Sequence, residues 1–133
     1  MAAPFYCLAA MLLLVAATKI PVAVAMARSG ARGYDNRTPR SQQAALTGWG
    51  ARALAAHQNT FEALTIFTPA VLIAQVGGGS AVASQATTLA VVHTLARVAY
   101  PVAYIADIHL LRSAIWGVGF ISAVWLALLP AVG

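Results

Sequence analysis

Four long apolar stretches, separated by three short polar segments, run along the 133 residues of the chain. Each stretch is close to or longer than the roughly 20 residues that an α-helix needs to cross about 30 Å of hydrocarbon. Gly, Pro, Asn and Ser residues between the stretches are typical of turns. The pattern therefore predicts one domain, residues 1–133, that is all-α and forms a four-helix bundle in a membrane, with helices over residues 4–26, 41–76, 81–105 and 112–129.

The second predicted helix carries an aligned row of polar residues where it enters the apolar sequence. At about 100° per residue, Arg52, Asn59 and Glu62 fall in one narrow stripe. Apolar residues follow Glu62 directly, so its carboxylate would lie at or below the membrane surface. An unpaired charge there costs about 3 kcal/mol or more, and we therefore expect Glu62 to have a partner.

A second polar stripe lies on the C-terminal half of the third predicted helix. Its members follow one another at spacings of four, three, four and three residues, which keeps them on one face: His93, Arg97, Tyr100, Tyr104 and Asp107. Because this helix lies in an apolar chain, such a stripe must face protein or water rather than lipid.

Composition confirms that the bilayer is the solvent for most of the surface. Hydrophobic residues make up 61% of the chain and charged residues only 8%, against about 25% charged in soluble proteins. The net charge of +5 comes mainly from four arginines in the first loop, Arg28, Arg32, Arg37 and Arg40. A short basic loop between apolar spans follows the positive-inside rule, so we expect contact with membrane lipid and no nucleic-acid partner.

The same rule predicts the topology. The first and third loops carry the basic residues and the second loop, residues 77–80, carries none, so the first and third loops are expected in the cytoplasm and both termini outside. This arrangement brings the two polar stripes to the cytoplasmic face, together with Arg112 at the start of the fourth helix.

Side chains that could meet there suit an anionic ligand. Arg52, Arg97 and Arg112 outnumber the single carboxylate of Glu62, and guanidinium groups bind carboxylates in two-pronged pairs. An arginine or a tyrosine hydroxyl near a thiol could also stabilise the nucleophilic thiolate. The spacing leaves a second interpretation open, in which Arg52 or Arg97 pairs with Glu62 only to hold helices together. A small transporter is disfavoured, because the stripes occupy one half of the membrane thickness.

Other kinds of site find little support in the sequence. Cys7 is the single cysteine, which excludes an internal disulfide and any site of several cysteines. His57 and His93 have no second histidine at ligand spacing, so no metal site is predicted. We find no Ser-His-Asp arrangement, and Gly77-Gly-Gly-Ser80 lacks the lysine of a phosphate-binding loop.

Three segments resemble the MAPEG family, the membrane-associated proteins in eicosanoid and glutathione metabolism. They are the segment from Arg52 that ends in Ala-His-Gln-Asn-Thr-Phe-Glu62, the segment Arg97-Val-Ala-Tyr-Pro-Val-Ala-Tyr104, and Leu-Arg-Ser around Arg112. The resemblance covers nearly the whole chain. It is greater to the bacterial branch than to the eicosanoid synthases, and it implies a homotrimer in the bacterial inner membrane.

The resemblance also implies an activity and roles for individual residues. It implies that glutathione is a co-substrate and that it binds between subunits near the cytoplasmic face. The reaction would resemble that of a glutathione transferase or peroxidase, with a lipophilic small molecule as the second substrate. By this resemblance, Arg112 would activate the thiol, and the residues that contact glutathione would be Asn59, Glu62, Arg97, Tyr100 and Tyr104. Ala55 and Gln58 stand where well-characterised members carry arginines. Arg52, one turn before Ala55, is expected to replace part of the missing contact.

Overall fold

The computed structural model describes residues 2–132, which form five helices and no strand. Four helices, α1, α3, α4 and α5, are long and apolar enough to cross a membrane, which confirms the predicted four-helix membrane fold. The fifth, α2, has six residues and lies between α1 and α3. The bounds are Ala3–Ser29 for α1, Pro39–Ala44 for α2, Gly48–Gly77 for α3, Ala83–Ile105 for α4 and His109–Val132 for α5.

The second predicted helix, residues 41–76, is interrupted near its start. Thr47 is extended, with φ −126° and ψ 170°, and Gly48 has φ +56°. That left-handed conformation is accessible to glycine and interrupts a right-handed helix. Residues 39–44 before the break form α2, and α3 begins at Gly48, seven residues after the predicted start. The last helix begins at His109 rather than Arg112, so only residues 106–108 separate α4 from α5.

Helix α3 packs against all three of the other long helices, α1, α4 and α5. Its buried face consists mainly of small residues at helical spacing, among them Ala53, Ala56, Ala63, Ala70 and Ala74. Small side chains let helix backbones approach closely in a membrane, where apolar burial alone does not favour association over contact with lipid. Larger apolar side chains such as Phe61 and Ile73 are exposed and suit a lipid environment.

Helices α1 and α3 approach each other closely at Gly50. A Cβ atom added there would lie 2.9 Å from the Cβ of Ala25, closer than two carbon atoms pack. We expect Gly50→Val to lower the free energy of unfolding by about 1–3 kcal/mol, the usual cost of overpacking. Thermal unfolding in detergent measures this effect. Gly117→Ala is the control, because a Cβ atom at Gly117 meets no atom within 4 Å; equal losses in the two variants would contradict the packing account.

The basic loop between α1 and α2 is held by two side chains. Gln42 donates to the backbone oxygens of Met26 (3.1 Å) and Gly33 (2.9 Å) and accepts from the Asp35 amide at 2.8 Å. The Asp35 carboxylate accepts from the backbone amide of Arg37 and from the hydroxyl of Thr38, at 2.8 and 2.6 Å. The loop is therefore ordered by hydrogen bonds and not only by the helix ends that it joins.

These hydrogen bonds make the loop sensitive to acid. The Thr38 hydroxyl, followed by the backbone amides of Arg37 and Thr38, lowers the pKa of Asp35 below its ordinary value. A lowered pKa in the folded state means that the charged form stabilises the loop above the ordinary value, and that this contribution is lost as pH falls through the lowered pKa. We therefore expect tryptic cleavage after Arg37 to be faster in Asp35→Asn than in the parent at neutral pH, because asparagine carries no charge. Equal rates would contradict this role.

Candidate binding site

Asn59 links a helix α3 carboxylate to a helix α4 guanidinium. Its side-chain nitrogen donates to Glu62 Oε2 at 2.8 Å, and its side-chain oxygen accepts from Arg97 Nη2 at 2.6 Å. The second distance is short, as in hydrogen bonds from charged donors. Arg97 and Glu62 are thus joined through Asn59 and not by a direct ion pair. Within residues 2–132, the one salt bridge shorter than 4.0 Å joins Arg52 and Asp107.

Arg97 is almost completely enclosed, with 2% of its surface exposed. Its stem passes α5 at Gly119, where an added Cβ atom would lie 3.4 Å from Arg97 Cδ. Its guanidinium carbon lies 4.3 Å from the centre of the Tyr100 ring, a distance at which a cation is attracted by the aromatic face. A buried cation without a directly paired carboxylate is costly to fold around, so this position calls for a role beyond packing.

The polar contacts continue from Arg97 toward α5. The rings of Tyr100 and Tyr104 meet edge to face, with centres 5.6 Å apart. The guanidinium carbon of Arg112 lies 4.4 Å from the centre of the Tyr104 ring. We call the continuous set of contacts across three helices the polar row, which consists of Glu62, Asn59, Arg97, Tyr100, Tyr104 and Arg112.

Helical spacing explains most of the polar row. Asn59 and Glu62 are three residues apart on α3, and the three α4 members are three and four residues apart, so each set lies on one helix face. Arg112 is in the first turn of α5, where its amide donates to the Ile108 oxygen at 2.9 Å. Asp107, with φ +63°, reverses the chain just before α5. Asp is among the residues that tolerate this conformation best, and the short connection places Arg112 beside Tyr104.

A groove of about 260 Å³ borders one end of the polar row. Tyr100, Tyr104 and Arg112 line it together with Ser113 and Trp116. The last two were not predicted as site residues. Ser113 follows Arg112 in the third matching motif, so its position in the sequence was a usable signal. Trp116 lies one turn further along α5 and gave no signal beyond its aromatic character.

The structure places Arg52 at the C-terminal end of α4, apart from Asn59 and Glu62. Its Nε donates to the backbone oxygen of Ile105 at 3.1 Å, and its Nη1 lies 3.8 Å from Asp107 Oδ2. The last carbonyl groups of a helix lack partners within the helix, and a cation at that end is stabilised by the helix dipole. Arg52 therefore ties α3 to the C-terminal end of α4 and is not part of the polar row.

We expect Arg52→Ala to affect stability rather than ligand binding. Loss of a hydrogen bond from a charged donor, partly screened by solvent, should lower the free energy of unfolding by about 1 kcal/mol. Binding of an anionic ligand at the polar row should stay within about threefold of the parent, because the Arg52 guanidinium is already engaged by the Ile105 carbonyl and the Asp107 carboxylate. Thermal unfolding and equilibrium titration test the two parts. A tenfold loss of affinity would restore Arg52 to the site.

The two buried histidines hold helices together. His57 Nδ1 and the hydroxyl of Thr18 are 2.9 Å apart, across α3 and α1. His93 stacks on Phe67 with ring centres 4.1 Å apart and bonds to Gly119 on α5 through Nδ1. Among residues 2–132, no group of three or more His, Cys, Asp or Glu side chains is close enough to hold a metal ion.

Comparison with known proteins agrees with the fold and the motifs. Searches of curated proteins and of solved structures return no match to this chain. The sequence profile of the MAPEG family matches residues 3–132, which is nearly the whole chain and includes every residue of the polar row. The protein therefore belongs to the MAPEG family and is an integral, multi-pass membrane protein.

Proposed function

We propose that this protein binds a thiol peptide, glutathione, and joins it through its sulfur to a lipophilic electrophile, or uses it to reduce one, at the membrane. The observation that carries the proposal is the polar row, in which two arginines and one carboxylate are held in contact across three helices. In a membrane protein such a costly arrangement is expected at a functional site. Family membership adds to its weight.

The charges of the polar row complement those of glutathione. The tripeptide has two carboxylates and one ammonium group at neutral pH. Arg97 suits a carboxylate, and the exposed carboxylate of Glu62 suits the ammonium group. Ala55 and Gln58 contribute no charge on the adjoining turn of α3. Each charged contact that they fail to supply would be worth about 1.5–3 kcal/mol, so we expect weaker binding than at a site with both cations.

Arg112 is the residue that we assign to the chemistry. It borders the groove with Tyr104 and is only partly buried, so a thiol could approach its guanidinium. A nearby cation favours the thiolate over the thiol. The thiol proton passes to solvent, the thiolate sulfur forms a bond to the electrophilic carbon, and the leaving group departs with the electron pair of the bond that breaks. With a hydroperoxide, two thiols are oxidised to a disulfide while the peroxide is reduced to alcohol and water.

We also propose on which side of the membrane the site lies and how the subunits assemble. The C-terminal end of α1, where the basic loop begins, lies at one end of the bundle. The same end carries Arg52, the C-terminal end of α4 and the start of α5. The positive-inside rule places that end in the cytoplasm, with both termini outside. We propose a homotrimer in a bacterial inner membrane, in which neighbouring subunits complete each glutathione site and lipophilic substrates enter from the bilayer.

Turnover and mass in detergent test these proposals together. The purified protein is assayed with glutathione and either a lipophilic aryl halide or a lipophilic hydroperoxide, and its mass is measured by light scattering. Thioether or disulfide formation above the uncatalysed rate, from a particle of three chains, is the expected result. A strict monomer would contradict a site between subunits, and absence of turnover with both substrates would contradict catalysis.

A second function, helix pairing without catalysis, is favoured by one specific observation. Arg97 bonds to Asn59 across α4 and α3, so the same contact could serve stability alone. Arg112 distinguishes the two functions, since its side chain stacks on Tyr104 at the edge of the bundle and holds no buried partner in place. A protein that only pairs helices would not need a cation there.

A further inference from the structure

A small cavity lies behind the polar row, between α3, α4 and α5. Its volume is about 70 Å³, room for a few atoms rather than for a peptide. Apolar side chains make up most of the wall, and polar groups are found at one side. The lining residues are Asn59, Glu62, Ala63, Ile66, His93, Arg97, Trp116, Phe120 and Ala123.

Two buried polar atoms of the lining residues lack hydrogen-bond partners among residues 2–132. They are Nε2 of His93 and Nε of Arg97, and each side chain is only 2% exposed. An unmatched buried polar atom costs about 1–3 kcal/mol, and native structures rarely keep one without a reason. The two residues are one turn apart on α4 and line the same cavity, which indicates a common partner.

The chemistry of the two atoms differs. His93 Nδ1 is 2.8 Å from the Gly119 oxygen; a carbonyl oxygen can only accept, so Nδ1 carries the hydrogen. In the neutral ring, which this enclosed position beside Arg97 favours, Nε2 is then an acceptor. Arg97 Nε can only donate, while Nη2 of the same guanidinium is committed to Asn59. A group that pairs with both atoms would therefore have to donate to one and accept from the other.

We propose that the cavity binds the hydroxyl group of a membrane-soluble alcohol. A hydroxyl oxygen can accept from Arg97 Nε while its hydrogen is donated to His93 Nε2. A ketone, an ether or an alkane offers no hydrogen for His93. The side chains of Ile66, Phe120 and Trp116 are 39%, 39% and 41% exposed, so the wall extends to the outer surface of the bundle. An alkyl chain attached to the hydroxyl group can leave along these apolar side chains toward the bilayer.

Asn59, Glu62 and Arg97 belong both to the polar row and to the lining of the cavity, but the atoms that we assign to the hydroxyl group are not those that we assign to the thiol peptide. The Nη2 atom of Arg97 is bonded to Asn59 in the polar row, whereas Nε, on a side chain that lines the cavity, has no partner among residues 2–132. Because one rigid, planar group carries both atoms, an alcohol in the cavity would also fix the orientation that Arg97 presents to the polar row. The alcohol proposal does not depend on thiol binding, and it is tested without glutathione.

Nitrogen NMR of the detergent-purified protein with ¹⁵N-labelled histidine tests the proposal. Octan-1-ol is the probe, octane is the apolar control, and the His93 signals are identified as those that disappear in His93→Phe. We expect octanol to shift the Nε2 signal in a saturable way, in the direction of a hydrogen-bonded acceptor. Octane is expected to have no such effect. A shift that rises without saturation, or one that octane reproduces, would overturn the proposal.

Two matched variants locate the site. Ile66→Trp places a larger ring at the wall of the cavity, whereas Ile73→Trp makes the same change two turns along α3 at an exposed position that does not line it. The saturable shift should be lost in Ile66→Trp and kept in Ile73→Trp. The Nε2 signal could instead show a hydrogen bond before octanol is added and not respond to octanol. That result would indicate a water molecule only and would overturn the assignment to an alcohol.

Discussion

Arg97→Met is expected to weaken glutathione binding by about 10- to 100-fold while leaving the stability of the protein within about 1 kcal/mol of the parent. The loss of affinity corresponds to one charged hydrogen bond of about 1.5–3 kcal/mol. Stability changes little because two effects offset each other. The variant loses the hydrogen bond to Asn59, but it no longer buries a cation without a direct carboxylate partner, and apolar replacements of buried charges are often neutral or stabilising.

This experiment separates a binding role of Arg97 from a purely structural one. Equilibrium titration measures the affinity, and thermal unfolding of the same detergent-purified samples measures the stability. Arg32→Met is the matched control, because it makes the same replacement at an exposed position in the basic loop. A large loss of stability with unchanged affinity would show that Arg97 only pairs helices, and it would contradict our assignment.

Arg112→Ala is expected to lower turnover by about 10²- to 10³-fold, the cost of removing one group that stabilises developing negative charge. Its effect on glutathione affinity should be much smaller than its effect on kcat, because Arg97, Asn59 and Glu62 remain. Arg112 lies against Tyr104 at the groove edge and its removal leaves no buried group unpaired. Stability should therefore be close to that of the parent.

The pH dependence of turnover gives a more specific test of Arg112. If its cation favours the thiolate, its loss returns the pKa of the bound thiol toward the ordinary value of about 8.5. The rise of kcat with pH should then move to higher pH in Arg112→Ala and be largely restored in Arg112→Lys. An unchanged pH profile, or equal losses of affinity and kcat, would contradict a role in thiolate formation.

The membrane fold and most of the polar row could be predicted from residue spacing. Arg97, Tyr100 and Tyr104 repeat at helical intervals, so the amino-acid sequence alone indicates a stripe. Asn59 and Glu62 are three residues apart on α3, and the structure shows them in direct contact. These predictions depended on geometry within single helices, which the sequence determines well.

The structure separates Arg52 from Asn59 and Glu62, because spacing describes the direction of a side chain and not its height along the bundle. It lies on the same stripe as Asn59, but seven residues earlier, or about 10 Å along the helix axis. The end of α4 lies at that height, and the Ile105 carbonyl there accepts the guanidinium hydrogen. Where α4 ends relative to α3 depends on packing between helices, which periodicity does not reveal.

The cavity behind the polar row could not be foreseen for a similar reason. His93 appeared on the α4 stripe, but its unmatched Nε2 depends on where Gly119 of α5 and Phe67 of α3 meet the ring. The break before α3 was also ambiguous, since the left-handed backbone of Gly48 is permitted but not required by a glycine. Contacts between helices, rather than patterns within them, determined each of these features.

Calorimetric titration of the detergent-purified parent protein with glutathione tests the central claim most directly. The polar row predicts saturable binding of one glutathione per chain, with the affinity lowered in Arg97→Met and retained in Arg32→Met. S-methylglutathione, which keeps both carboxylates and the ammonium group but lacks the thiol hydrogen, should also bind if these charged groups provide the affinity. Absence of saturable heat with glutathione would contradict the account.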